Sequence, residues 1–317
     1  MYVCLVGGGA RLATSDAERI VLWDVSGDAP TKIAEVAQPG QRPLFSQSPA
    51  GERMTAGAGL LARSYTPLDA KGHWTDAKSR IGIYRDTDLS EVAQITARER
   101  LDPQTLALSA DGSLVASTSH GAGPVAFDVA TGEERCRVVG SIGSGVSFST
   151  AGDLLAAGST GQDGGRFFLV RLDDAREVVQ LPRPSSKAPL YDSPFRSAFA
   201  SDDSFVAFTC AAWGAGGITL YDPRTAEERW AKKLTLAGDE EAEHWEAPEL
   251  DLAFDDTRVL VGQDGRIDAF AAADGTPLSV LEHEPADASY FAADTGRRCV
   301  WVTRGGAPTR IDMPADW

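Results

Sequence analysis

The chain has 317 residues, 43% hydrophobic and 24% charged, enough for one large repeat domain or two ordinary ones. Its formal net charge is -16, with 46 acidic residues against 30 basic, and no basic stripe interrupts the excess. Binding to nucleic acid or to an anionic membrane needs such a stripe, so both are set aside in favour of a protein partner, neutral or basic.

Cys4, Cys136, Cys210 and Cys299 stand far apart in or beside apolar runs, and there is no Cys-x-x-Cys. Neither a structural zinc site nor a redox pair is encoded, and four buried thiols suit a reducing compartment. The apolar run at residues 2–6 has no basic segment before it and is too short for a signal peptide or a membrane span. The sequence therefore reads as cytoplasmic.

Along the chain, short β-type runs alternate with tight turns. The first unit has runs at 2–6, 11–14, 19–25 and 32–37, with Gly7-Gly8-Gly9 as its first turn. A dinucleotide-binding loop would need a further glycine and a helix after it, so a hairpin is the better reading of these glycines. The second unit has runs at 43–47, 53–58, 81–85 and 91–96, with an insertion at 59–79. The third is the clearest: 106–109, the turn Ala110-Asp111-Gly112-Ser113, then 114–118, 125–129 and 135–139. The fourth has 145–149, 154–158, 166–171 and 177–181, and the fifth 196–200, 205–210, 218–222 and 228–234. The sixth has 250–254, 258–262, 266–271 and 277–281, and the seventh 288–292, 297–303 and 308–313.

The third runs end at Asp24, Arg85, Asp128, Arg171, Asp222, Ala271 and Asp312, at spacings of 61, 43, 43, 51, 49 and 41. A base period near 43 with insertions is that of a four-stranded propeller blade. These spacings predict an all-β, seven-bladed propeller in one domain, 1–317, with blades near 1–38, 39–97, 98–140, 141–182, 183–236, 237–283 and 284–317. The last blade is expected to have three strands. Residues 2–6 are apolar throughout, which suits an inner strand of blade one better than an outer strand lent to blade seven. Arg310 and Asp312 would then guard an exposed edge.

With Trp23-Asp24, Phe127-Asp128 and Tyr221-Asp222 at third-strand ends, and Asp-Gly-type turns before the second strands, the chain resembles the WD40-type β-propellers over nearly its whole length. It lacks that family's Gly-His pair ahead of the first strand and has a single Trp-Asp. The resemblance implies a scaffold that binds other proteins, with no catalysis and no cofactor.

The four histidines, His73, His120, His244 and His283, show no metal-ligand spacing, and no Gly-x-Ser-x-Gly elbow occurs. Residues 161–165 (GQDGG) read as a turn rather than a cation loop. The long segments are 59–79, 182–194, 211–217 and 238–249. All join second to third strands or one blade to the next, and these connections share one face of a propeller. They carry Tyr65, His73, Trp74, Tyr191, Trp213, His244 and Trp245, with Phe195 at one edge and Glu241 and Glu243 in an acidic run. Aromatic residues on loops over a rigid scaffold are the usual material of a binding site. The expected function is partner docking on that face. An inhibitor or immunity-type protein masking a basic partner is one alternative. A propeller hydrolase or lactonase with a metal in the central channel is another, disfavoured by the apolar and small residues of the first strands.

Overall fold

The computed structural model describes residues 2–16, 19–27, 29–37, 54–65, 78–98, 101–119, 123–138, 142–160, 166–172, 177–186, 194–212, 215–235, 251–255, 257–263, 265–284, 286 and 291–314. Within them, strands form six four-stranded antiparallel sheets and one of three. Blade one is β1 (Tyr2–Val6), β2 (Arg11–Ser15), β3 (Arg19–Asp24) and β4 (Thr31–Ala37). Blade two is β5 (Met54–Gly57), β6 (Leu60–Tyr65), β7 (Arg80–Arg85) and β8 (Glu91–Thr96). Blade three is β9 (Leu101–Leu108), β10 (Leu114–Ser119), β11 (Gly123–Asp128) and β12 (Glu134–Arg137). Blade four is β13 (Ile142–Phe148), β14 (Leu154–Thr160), β15 (Arg166–Arg171) and β16 (Val178–Gln180). Blade five is β17 (Pro194–Phe199), β18 (Val206–Ala212), β19 (Ala215–Tyr221) and β20 (Glu228–Thr235). Blade six is β21 (Asp251–Asp255), β22 (Arg258–Gln263), β23 (Arg266–Ala271) and β24 (Pro277–Glu282). Blade seven is β25 (Ala292–Asp294), β26 (Cys299–Arg304) and β27 (Ala307–Asp312).

The inner strands touch in the order β1, β5, β9, β13, β17, β21, β25 and back to β1, so the ring is closed. This is the expected seven-bladed propeller, with β1 inside blade one and paired to β2 alone in its sheet.

Three expectations need correction. In blade two the run expected at 53–58 as the second strand holds the first strand, Met54–Gly57. Ala58 and Gly59 both have positive φ (52° and 77°) and make a two-residue hairpin, and β6 occupies the start of the expected insertion. Arg63 hides β6 in the sequence, because an arginine interrupts the apolar run. It is nonetheless fully buried, and its Nη2 donates to the main-chain oxygen of Asp16 in blade one (2.7 Å). The expected first strand at 43–47 lies outside the described residues. In blade five the segment 211–217 is no insertion, since the β18–β19 ladder continues to Ala212↔Ala215. The glycines Gly216 and Gly217, which read as loop, sit inside β19 and pair with Ala211 and Cys210. In blade seven the first strand is β25, later than the expected 288–292.

Cys136, Cys210 and Cys299 are buried as expected, while Cys4 is only half-buried. Burial pushes the Cys210 thiol up to about 12, so it stays protonated and inert.

Blade seven ends on an open edge among the described residues. Met313 N–H points inward, to Arg298 O (2.8 Å), so the alternate residues Pro308, Arg310 and Asp312 face outward. Proline has no donor to offer, and Arg310 Nε bonds Asp312 Oδ1 (2.7 Å) across the other two. Amides of Arg310 and Asp312 are therefore expected to exchange with solvent within seconds, while Cys4 and Val6, whose register partners Ala13 and Arg11 face β1, stay protected. Hydrogen-exchange mass spectrometry checks this, and protection of both segments would mean that another strand covers the edge.

Candidate functional site

The two faces of the ring differ in their connections. Turns from first to second and from third to fourth strands lie on one face, and none exceeds six residues. On the other face the intervals 38–53, 66–79, 181–193 and 236–250 separate consecutive strands.

The short-turn face is ordered by aspartates. Asp24, Asp88, Asp111, Asp202 and Asp274 each accept the backbone N–H two residues on, at 2.8–3.0 Å. Asp128 accepts that of Thr131 (2.9 Å) in the same manner. Such bonds close the turn locally, where short polar side chains are strongest. Hydroxyl groups add to them: Ser26 Oγ on Asp24 (2.5 Å), Ser90 Oγ on Asp88 (2.7 Å) and Ser109 Oγ on Asp111 (2.7 Å). These hydrogen bonds, the hydroxyl of the neighbouring serine foremost, hold the carboxyls of Asp24, Asp88 and Asp111 below the ordinary range.

Of the aromatic and acidic residues expected on the long-connection face, Tyr65 is placed by the structure. It ends β6, half-buried, and its hydroxyl accepts Gln94 Nε2 of the outer strand (2.7 Å). It is thus tied into blade two. Phe195 lies in β17 between Pro194 and Arg196, where the ladder to β18 shifts register; its side chain is outside the description. His73, Trp74, Tyr191, Trp213, Glu241, Glu243, His244 and Trp245 lie outside the described residues. The connector after β16 begins against blade five: Tyr221 Oη donates to Pro182 O (2.7 Å), and the Glu228 carboxylate receives Ser185 N–H (2.8 Å) and Ser185 Oγ.

Among the described residues no group of three His, Cys, Asp or Glu is placed to hold a metal, and no helix is long and apolar enough to cross a membrane. The expected turn at 161–165 is outside the description.

A feature that sequence reasoning missed lies on the short-turn face. Arg11 of blade one and Asp86 of blade two meet beside Gly7, Gly8 and Gly59. The glycine triplet was visible as a hairpin; the ion pair needs the seam between two blades and has no local signal.

No protein-family model and no curated protein matches this chain. Among solved structures it is similar to the β-propeller domain of Cps50 (Swd1) from Myceliophteria thermophila, with a TM-score of 0.66, 12% identity, and coverage of 99% of this chain and 96% of that one. It is equally similar to the hydrazine synthase of Kuenenia stuttgartiensis, again with a TM-score of 0.66 and 12% identity, over 98% and 95% of the two chains. At such identity the likeness is one of fold. The chain is a β-propeller, and the two neighbours, one of them named as an enzyme, leave activity to the residues.

The turn aspartates set an acid limit. Their folded pKa values lie below the unfolded value near 4, so their stabilisation is complete above that value. It is lost as pH falls through the folded values. Melting temperature should be level from about pH 7 to pH 5 and drop below about pH 4. Asp111→Ala should lower it at neutral pH and reduce the drop, as read by calorimetry across the pH range.

Proposed function

We propose that this chain is a non-catalytic scaffold that docks a protein partner on the face carrying the long connections, in the manner of the WD40-type propellers it resembles. The observation that carries the reading is the asymmetry of the two faces. One is closed by turns of six residues or fewer, and the other holds four intervals of 13 to 16 residues over the same rigid ring. Long loops on a rigid scaffold are where binding residues concentrate. The sequence of those intervals supplies Trp74, Tyr191 and Trp245, the residue types that dominate interface energetics.

The charge of -16 favours one specific form of this scaffold, an inhibitor-like protein that covers a basic partner. The run 239–246 (DEEAEHWE) beside Trp245 would be its electrostatic contact. Binding of that kind weakens steeply with added salt, whereas a contact led by aromatic rings does not.

With the partner recovered by affinity purification, Trp74→Ala and Trp245→Ala should each weaken binding by about 2 kcal/mol or more in titration calorimetry. Their melting temperatures should stay within a degree or so of wild type, since neither residue belongs to a described strand. Unchanged affinity in both variants would place the contact elsewhere, and a large loss of stability would make the rings caps on the ring's end.

A further inference from the structure

The short-turn face holds a cleft of about 470 Å³ between blades one and two, walled by the ends of β1 and β5 and by the glycine turns at 7–9 and 57–59. Arg11 and Asp86 line it.

Asp86 breaks the chain's own repeat. Asp86 N–H donates to Gly59 O (3.0 Å), and the equivalent bond is made by Val25, Val129, Leu172, Ala272 and Met313 in other blades. Asp86 is the one acid at that otherwise apolar position, and it is only 5% exposed. Arg11 pairs with the third-strand end Asp24, as Leu60, Leu114 and Leu154 pair with theirs in blades two to four and Arg258 with Ala271 in blade six. A buried carboxylate at an otherwise apolar repeat position, with an arginine beside it, costs stability unless the two are fully bonded.

They are not fully bonded to each other. Arg11 Nη1 donates to the main-chain oxygen of Asp86 at 2.7 Å, but stands 3.6 Å from Oδ1. A charge-assisted bond would be about 2.7–2.9 Å. Among the described residues neither Asp86 carboxylate oxygen accepts a hydrogen bond, and Nε and Nη2 of Arg11 donate none. A side chain at residue 7 would crowd that second guanidinium edge. A Cβ there would lie 2.7 Å from Nη2 and 2.8 Å from Nε, so the guanidinium holds this position only against a glycine. A Cβ on Gly8 or Gly59 would meet nothing within 4 Å, so the cleft is open beyond.

We propose that this cleft binds a small zwitterion of the α-amino-acid type, with its carboxylate on Nε and Nη2 of Arg11 and its ammonium on the Asp86 carboxylate. A ligand bearing both charges satisfies both groups. An anion alone would lie against Asp86, and a cation alone against Arg11. The volume falls in the usual range for small-molecule sites, about 300–1,000 Å³. The site is on the face away from the aromatic loops and stands independently of docking there.

The test titrates the full chain with L-alanine, L-leucine, propionate and ethylammonium, followed by calorimetry and by amide NMR. One or both amino acids should bind saturably, at least tenfold more tightly than propionate or ethylammonium, and should shift the amides of Gly7, Gly8 and Gly59. Gly7→Ala, Arg11→Met and Asp86→Asn should each abolish binding. The NMR response of the wild-type protein decides the matter if any variant fails to fold. Failure of both amino acids to shift those amides at 20-fold excess over about 1 mM protein would overturn the assignment. So would equal binding of propionate or ethylammonium, or retained binding in a folded Arg11→Met or Asp86→Asn variant.

Discussion

Everything in this molecule depends on the seam between neighbouring blades. A four-stranded sheet with two apolar faces cannot stand alone, and the ring gives each face a partner. The buried apolar residues divide into seven clusters, one for each seam. Alternation along the second strands feeds them. In β10, Val115 joins the seam to blade two and Ala116 the seam to blade four. In β18, Val206 and Phe208 face blade four while Ala207 faces blade six. Six seams also take a residue from the outer strand of the preceding blade, as Val36, Ile95, Cys136, Val179, Trp230 and Leu281 show.

The seventh seam has no such strand to draw on, because blade seven has three strands. Its cluster is Tyr2, Val3, Leu12 and Val25 against Ala292, Cys299 and Trp301. By ladder register, Trp301 occupies the position held by Ala13, Ala62, Ala116, Ala156 and Ala207 in blades one to five and by Leu260 in blade six. The largest side chain thus sits where the outer strand is missing. Its indole N–H is buried with no acceptor among the described residues, a cost of about 1–3 kcal/mol that the packing must exceed. Arg297 adds one polar tie across the seam, donating from Nη1 to Val25 O (2.8 Å). Side-chain packing, and not an exchanged strand, closes this ring.

The sequence made the repeat legible through local signals. The third-strand ends Asp128 and Asp222, and the turn Asp111-Gly112-Ser113, are written in turn chemistry that acts within a few residues. Where a strand's partners lie in another blade, the signal disappears. Arg63 belongs to β6 because blade one supplies the oxygen it bonds, and nothing near it in sequence says so. Gly216 and Gly217 read as loop until Ala211 and Cys210 pair with them. Of the candidate site, the sequence offered residue types and their shared face. It could not offer Arg11 beside Asp86, which are 75 residues apart and meet through the seam.

The central claim is that Trp301 substitutes for the missing strand and holds the whole ring together. Equilibrium denaturation of Trp301→Ala, with hydrogen exchange read segment by segment, tests it most directly. The account predicts one cooperative transition lowered by about 3–5 kcal/mol, with protection lost in β1 and β2 as well as in blade seven. A variant in which β25–β27 alone lose protection, while the remaining blades unfold at the wild-type midpoint, would contradict it.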